Sequence, residues 1–400
     1  MSLFAIAFHY LYAKRSNTLL HIILMLLGVA MISALLLFAH QAKENLYRNS
    51  AGIDAVVGAK GSPLQLVLST IQHMDVPTGN IKLSQMERIK RHPHIRLAIP
   101  ISLGDNYQQF RIVGTEPHYL KHFRAEFAQG EIWKKPMQAV VGATVARKTG
   151  LKTGNHFIGV HGLTQSGHGH DDRPYRVVGI LKATGTVLDR LIVTSLESVW
   201  ELHALESQTQ SQDLNKNTDH LEITALLLSY RNRSAALSFP RQINQQTSMQ
   251  AASPVFEMAR LINFIGVGTN TIFVFAGFLI AISLAGVLIG LLNNIRERAY
   301  DLAIFRTLGA SRKKILWLVI IEGMTIAFTG SIIGLLLGHS MIAMMGSLTE
   351  KGLEMGLEGF FLLSEVWIVW GVILCLSFIV CLIPAWEAYK TEIRKMLMRF

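Results

Sequence analysis

The sequence predicts an α-helical membrane protein with four transmembrane helices and a large α+β extracytoplasmic domain inserted between helices 1 and 2. Three observations carry that reading. Half of the 400 residues are hydrophobic and only 16% are charged, with a mean hydropathy of +0.34. Such a chain is too apolar to be an ordinary soluble protein and too charged to be all membrane. Long apolar runs stand at residues 18–39, 254–294, 313–345 and 365–389. A polar region of more than two hundred residues, 40–253, separates the first run from the second.

Residues 1–17 carry Leu3, Phe4, Ile6, Phe8 and Tyr10, then Lys14 and Arg15. Too short to span, they suit a helix lying at the cytoplasmic surface with aromatic anchors. Residues 18–39 make about 33 Å of helix, enough for the hydrocarbon layer. Lys14 and Arg15 fix its start inside, and the chain emerges on the far side near His40. This opening does not read as a cleavable signal peptide, because its apolar stretch is long and no small-x-small site comes after it.

Within 40–253, the runs IDAVVG, AIPIS, QFRIVG, QAVVGA, YRVVGIL and RLIVTS are short, β-branched and ended by Gly, Pro or Ser, as strands are. Between them SPLQLVLSTIQHM, LSQMERIKRH and SLESVWELHAL have helical spacing, each with a Ser to cap it. An α+β domain is the consistent reading. Ser253, Pro254 and Glu257 then start a helix without a strong breaker until Asn294. Residues 254–294 would be about 61 Å long, roughly twice the hydrocarbon thickness. The expectation is a stalk continuous with transmembrane helix 2, paired with KENLYRN after the first span, with Leu46 and Phe256 in contact.

The third span, 313–345, has Gly330, Gly334 and Gly338 on one face, a pattern for close helix packing. An outer loop, 346–364, carries Glu350, Glu354 and Glu358 against Lys351. The fourth span, 365–389, has Pro384 near its inner end, and Lys390, Arg394, Lys395 and Arg399 return the tail, 390–400, to the cytoplasm. Both termini are therefore expected inside. Cys375 and Cys381 lie within the fourth run and read as small apolar packing residues. His339 reads as a packing residue too.

The segment 295–312 is the turn between spans two and three. Arg296, Arg298, Arg306, Arg312, Lys313 and Lys314 stand against Glu297 and Asp301, an excess that places the turn in the cytoplasm. Leu302, Phe305 and Leu308 fall at helical spacing and predict a short helix with one apolar side. Gly309 can end it in a left-handed conformation, and Ser311 can cap the next helix. Glu322, inside or near the third span, is an expensive carboxylate. It either marks function or, being near the inner end, simply reaches the interface or pairs with an arginine of the turn.

RERAYDLAIFRTLGAS, together with the apolar run after it that includes Glu322, resembles the coupling segment of the FtsX-like permease family, the type VII ABC transporter membrane subunits that include MacB-type exporters and lipoprotein-releasing permeases. Arg298, Asp301, Leu302, Ala303, Ile304, Arg306, Leu308, Gly309, Ala310 and Ser311 match the family's run, with Asp301 where Glu is commoner. The polar region is similar to the MacB-type periplasmic domain through IDAVVGAKGSPLQLVLS, FRIVGTEPHYL, AVVGATVARKTGLKTGN and RVVGILKATGTVLDRLIVTSLESVW. The resemblance implies a porter-like layer from the flanking segments with a strand-rich insert at about 103–220. It also implies that Arg296, Glu297, Arg298, Asp301, Leu302, Phe305, Arg306, Gly309 and Ser311 dock on a cytoplasmic ABC ATPase. The permease would work beside a second copy or a paralogue, with an extracytoplasmic accessory protein as a further partner, in a bacterial inner membrane.

The net charge of +11 does not signal nucleic acid, since no basic run is interleaved with aromatics. No GxxxxGK[ST] loop occurs, so ATP hydrolysis is expected from a partner. HExxH, G-x-S-x-G and paired CxxC motifs are missing as well, and the chain is expected to be a non-catalytic subunit. The unusual polar stretch is HGLTQSGHGHDDRPY, where His161, His168, His170, Asp171 and Asp172 supply donors suited to zinc. Flexible polar loops also collect His and Gly without binding anything.

Two functions are consistent with these readings. One is an ABC transporter permease that transmits ATP-driven motion to the outer domain, for lipoprotein, lipid, peptide or drug cargo. The other is a metal-responsive membrane protein whose His-rich loop binds and relays a divalent ion.

Overall fold

The computed structural model describes residues 3–161, 173–202, 221–349 and 357–390. It divides into two compact units, one of Met1–Ala42 with Ile265–Phe400 and one of Lys43–Phe264. Helices α1 (Leu3–Ala13) and α2 (Arg15–Ser50) lead. Next are strand β1 (Ala55–Ala59), helix α3 (Pro63–Val67), a π-helical turn at Leu68–Gln72, β2 (Ile81–Lys82) and α4 (Leu83–Lys90). Then come β3 (Ile95–Tyr107), β4 (Phe110–Thr115), α5 (His118–His122), β5 (Phe127–Gly130), β6 (Gln138–Val141) and α6 (Ala143–Thr149). Strands β7 (His156–Phe157), β8 (Val160–His161), β9 (Tyr175–Leu181) and β10 (Ile192–Ser195) precede α7, residues 196–202. The polar region closes with β11 (Glu222–Ile223), β12 (Ala225–Tyr230), α8 (Ala235–Gln246) and β13 (Met249–Ala252). Helices α9 (Pro254–Glu297), α10 (Ala299–Thr307), α11 (Arg312–Leu348) and α12 (Ser364–Lys390) complete the described residues.

All six β-branched runs form strands, and the hydrogen-bonded order is β13-β1-β12-β3-β4-β10-β6-β9-β5. Side chains alternate across this sheet with the two-residue period of a strand. Val56, Ile99 and Leu227 enter one core with Val67 and Leu188, whereas Val57, Ala98 and Leu226 enter another with Met86 and Phe239. The flanking segments supply β1, β12 and β13 on one side of β3. The insert continues from β4 on the other, with an irregular register between Leu103 and Asn106.

The caps are only partly as expected. Ser62 accepts from the Gln65 N–H at 3.4 Å and Ser195 from the Ser198 N–H at 3.3 Å. Ser84 lies inside α4, whose start is instead closed by the Gln85 side chain accepting from the Lys82 N–H at 3.3 Å. Leu46 does pack on the first core beside Met258 and Leu261. Phe256 does not, being 68% exposed. Two residues along a helix turn the side chain through about 200°, so with Met258 inward Phe256 must face out.

Among the described residues, four helices are long and apolar enough to cross a membrane: α2, α9, α11 and α12. The first and second of these run beyond their apolar cores, to Ser50 and back to Pro254. The glycine stripe of α11 lies against α2. A Cβ at Gly334 would come within 2.7 Å of the Leu26 carbonyl, and one at Gly338 within 2.8 Å of the Ala30 carbonyl. Only glycine lets the backbones approach this closely. Cys381 is buried against Gly323, Cys375 is exposed, and His339 bonds the Leu335 carbonyl at 2.9 Å.

Candidate functional site

The chain turns from α9 to α11 through two breaks, and each has a local cause. At Arg298 the backbone leaves helical geometry (φ −99°, ψ 15°), which lets α10 start in a new direction. At the far end Gly309 has φ +98°. The Gly309 N–H donates to the Arg306 carbonyl at 3.1 Å and the Ala310 N–H to the Phe305 carbonyl at 2.9 Å. These two bonds form a complete Schellman motif. Ser311 then caps α11 by accepting from the Lys314 N–H at 3.4 Å.

Arg298 is the hub of the turn. Its guanidinium reaches both Glu322 oxygens, at 3.4 and 3.5 Å, and donates to the Tyr10 carbonyl at 3.4 Å. It also lies 3.8 Å from the centre of the Tyr10 ring, a cation–π geometry. Asn294 donates to Glu322 at 3.1 Å, and Lys14 pairs with Glu297. Burial, helped by the charge of Asp301, pushes the Tyr10 hydroxyl above its ordinary range. Glu322 is buried and pairs with an arginine of the turn rather than reaching the interface.

The predicted coupling residues divide by direction. Leu302 is buried and Phe305 packs against the same core, together with Ala303, Ile315 and Leu11. Arg298 is turned inward as described. Arg296, Glu297, Asp301, Gly309 and Ser311 are exposed, and Arg306 is half-buried. Leu308 departs from the expected apolar side, being 79% exposed. Two steps of three residues rotate it by about 120° from Leu302, and it is already the C-cap. It joins Tyr300 and Ile304, also exposed, in a stripe at spacing i, i+4, i+8 on the outer side of α10. An apolar stripe flanked by Asp301 and Arg306 is suited to binding a protein surface rather than to chemistry.

The contributions of Tyr10, Asn294 and Lys14 are not readable from spacing, since hundreds of residues separate Tyr10 and Lys14 from their partners. Of the zinc candidates, His161 has its backbone in β8, paired opposite Asp105. His168, His170, Asp171 and Asp172 lie outside the described residues. Among the described residues no group of three or more His, Cys, Asp or Glu could hold a metal ion.

Residues 18–246 match the model of the MacB-like periplasmic core domain, and residues 273–393 match that of the FtsX-like permease C-terminal domain. The pyoverdine export ATP-binding/permease protein PvdT of Pseudomonas putida is 22% identical over 355 residues, covering 83% of this chain and 50% of the relative. The uncharacterized ABC transporter permease MJ1507 of Methanocaldococcus jannaschii is 27% identical over 231 residues, covering 54% of this chain and 51% of the relative. The chain thus spans about half the length of these curated relatives. Among solved structures, the periplasmic region of MacB from Actinobacillus actinomycetemcomitans aligns with a TM-score of 0.34 at 11% identity, over 55% of this chain and 98% of that one. The extracellular domain of the YknZ transporter from Gram-positive bacteria aligns with a TM-score of 0.31 at 11% identity, over 50% and 99%.

Proposed function

Because this chain belongs to the FtsX-like ABC transporter permeases with a MacB-like periplasmic core domain, we propose that it transmits ATP-driven motion from a cytoplasmic ATPase to its outer domain. The observation that carries the proposal is the α9–α10–α11 turn. It presents Tyr300, Ile304 and Leu308 outward, flanked by Asp301 and Arg306, on a helix fixed by buried contacts at Leu302 and Arg298. A helix held on its inner side and apolar on its outer side is suited to receive a push from a docked protein and pass it to α11. The basic excess from Arg296 to Lys314 favours the cytoplasmic side for this turn, with both termini inside and the membrane the bacterial inner membrane.

In this reading ATP is bound and hydrolysed by the partner, and the permease works as a pair of copies or with a paralogue. The name of the P. putida relative joins ATP binding, permease and export. Cargo of the lipoprotein, lipid, peptide or drug kind fits a mechanism in which the outer domains are driven from inside. The test is co-purification from detergent with the candidate ATPase. Asp301→Lys combined with Arg306→Glu should abolish association while the permease remains monodisperse, and undiminished association would overturn the proposal.

A further inference from the structure

We propose that a trough bounded by α1, α2 and α11 binds an anionic phospholipid of the cytoplasmic leaflet, its phosphate at Arg15 and its acyl chain between Leu19, Ile22 and Ile326. The proposal rests on the cytoplasmic placement of the α1–α2 corner given above. The trough has a volume of about 480 Å³, within the range of roughly 300–1,000 Å³ usual for small-molecule sites.

One wall is a ridge along α1. Phe4, Phe8 and Tyr12 succeed one another at spacing four, each about two-thirds exposed, while Ala7 and Leu11 are buried. Phe8, Leu11 and Tyr12 border the trough, and Arg15 stands at its end beside Ser16. The opposite wall is α11, through Thr325, Ile326 and Thr329. The two threonine hydroxyls already donate to carbonyls of their own helix, at 2.7 and 2.6 Å, so neither needs a polar ligand.

Helices α2 and α11 run in the same direction. A Cβ at Gly330 would meet the Ile22 carbonyl, one at Gly334 the Leu26 carbonyl and one at Gly338 the Ala30 carbonyl, in matched four-residue steps. Moving from Arg15 to Ile22 therefore moves from the polar start of the span toward its apolar interior. The trough is laid out as a phospholipid is, with charge at one end and hydrocarbon along its length.

The mouth selects charge. Arg15 is exposed and has no ion-pair partner among the described residues, whereas neighbouring Lys14 is taken by Glu297. No carboxylate is among the residues that border the trough, so it offers an anionic head group a cation and offers a choline or ammonium group no opposite charge. Basic pockets between helices on the cytoplasmic side are suited to anionic head groups. The same corner carries Tyr10 and Lys14, which hold Arg298 and Glu297, so an occupant would steady the turn that receives the ATPase.

Full-length protein, delipidated in mild detergent, would be incubated with phosphatidylglycerol or phosphatidylcholine, and retained lipid counted by native mass spectrometry. The expected result is retention of phosphatidylglycerol over phosphatidylcholine by about tenfold or more. Arg15→Gln should bring the two lipids close to parity, and Thr329→Trp, which fills the trough, should remove the retained lipid. Equal retention of both lipids, or a preference unchanged in Arg15→Gln, would overturn the proposal. So would efficient disulfide formation between two copies through Leu19→Cys, which would show the trough covered by protein. If Thr329→Trp fails to fold, the Arg15→Gln comparison decides alone. Lipid counts need no ATPase, so loss of the coupling proposal would leave this result standing.

Discussion

Arg298 and Glu322 form a buried ion pair that joins the turn after α9 to the side of α11, with Nη1 at 3.4 and 3.5 Å from the two carboxylate oxygens. Breaking one partner of such a pair leaves an uncompensated buried charge, at a cost of about 3–5 kcal/mol. Glu322→Ala should therefore lower thermal stability in detergent strongly. Glu322→Ala combined with Arg298→Met should recover much of the loss. Equal unfolding temperatures for the single and double variants would show that the pair is not coupled.

Gly309 holds the Schellman exit at φ +98°, where a side chain is strained. Gly309→Ala should cost about 1–2 kcal/mol. The loss appears at the exit itself, so hydrogen exchange should quicken in residues 305–311 while the outer domain stays protected. Unaltered exchange there would contradict the assigned role of this glycine.

His73 lies buried in the outer domain with Nε2 3.0 Å from the Tyr119 hydroxyl, and burial, with Arg111 and Arg190 nearby, holds its pKa well below the ordinary value. A histidine kept neutral in the fold but protonated when unfolded makes the unfolded state bind more protons at acid pH. Stability is then intact above about pH 6.5 and falls below it, by about 1.4 kcal/mol per pH unit until the folded pKa is reached. Unfolding by denaturant between about pH 7.5 and 5.5, a window that brackets the ordinary histidine pKa, should show this slope, and His73→Phe should flatten it. A wild type with no acid-side loss would refute the prediction.

The strands were legible because β-branched runs such as YRVVGIL and RLIVTS are short, dense and bounded by breakers, and they became β9 and β10. The exit of α10 was legible for a related reason: Gly309 and Ser311 act on the backbone within a few residues of themselves. Direction was not. Leu302 and Leu308 share a spacing rule but face about 120° apart, because a three-residue step drifts about 60° each time and the helix ends at Thr307. Phe256 failed in the same manner, its neighbour Met258 having the inward position. The Arg298–Tyr10 contact lay beyond any local pattern, since 288 residues separate the two.

The most direct measurement of the coupling proposal is photocrosslinking from α10 in whole membranes. A photoreactive amino acid replacing Ile304 should capture the cytoplasmic ATPase, while one replacing the buried Leu302 should yield only contacts within the permease. Capture of the ATPase from position 302 but not 304, or of an outer-side protein from 304, would contradict the account.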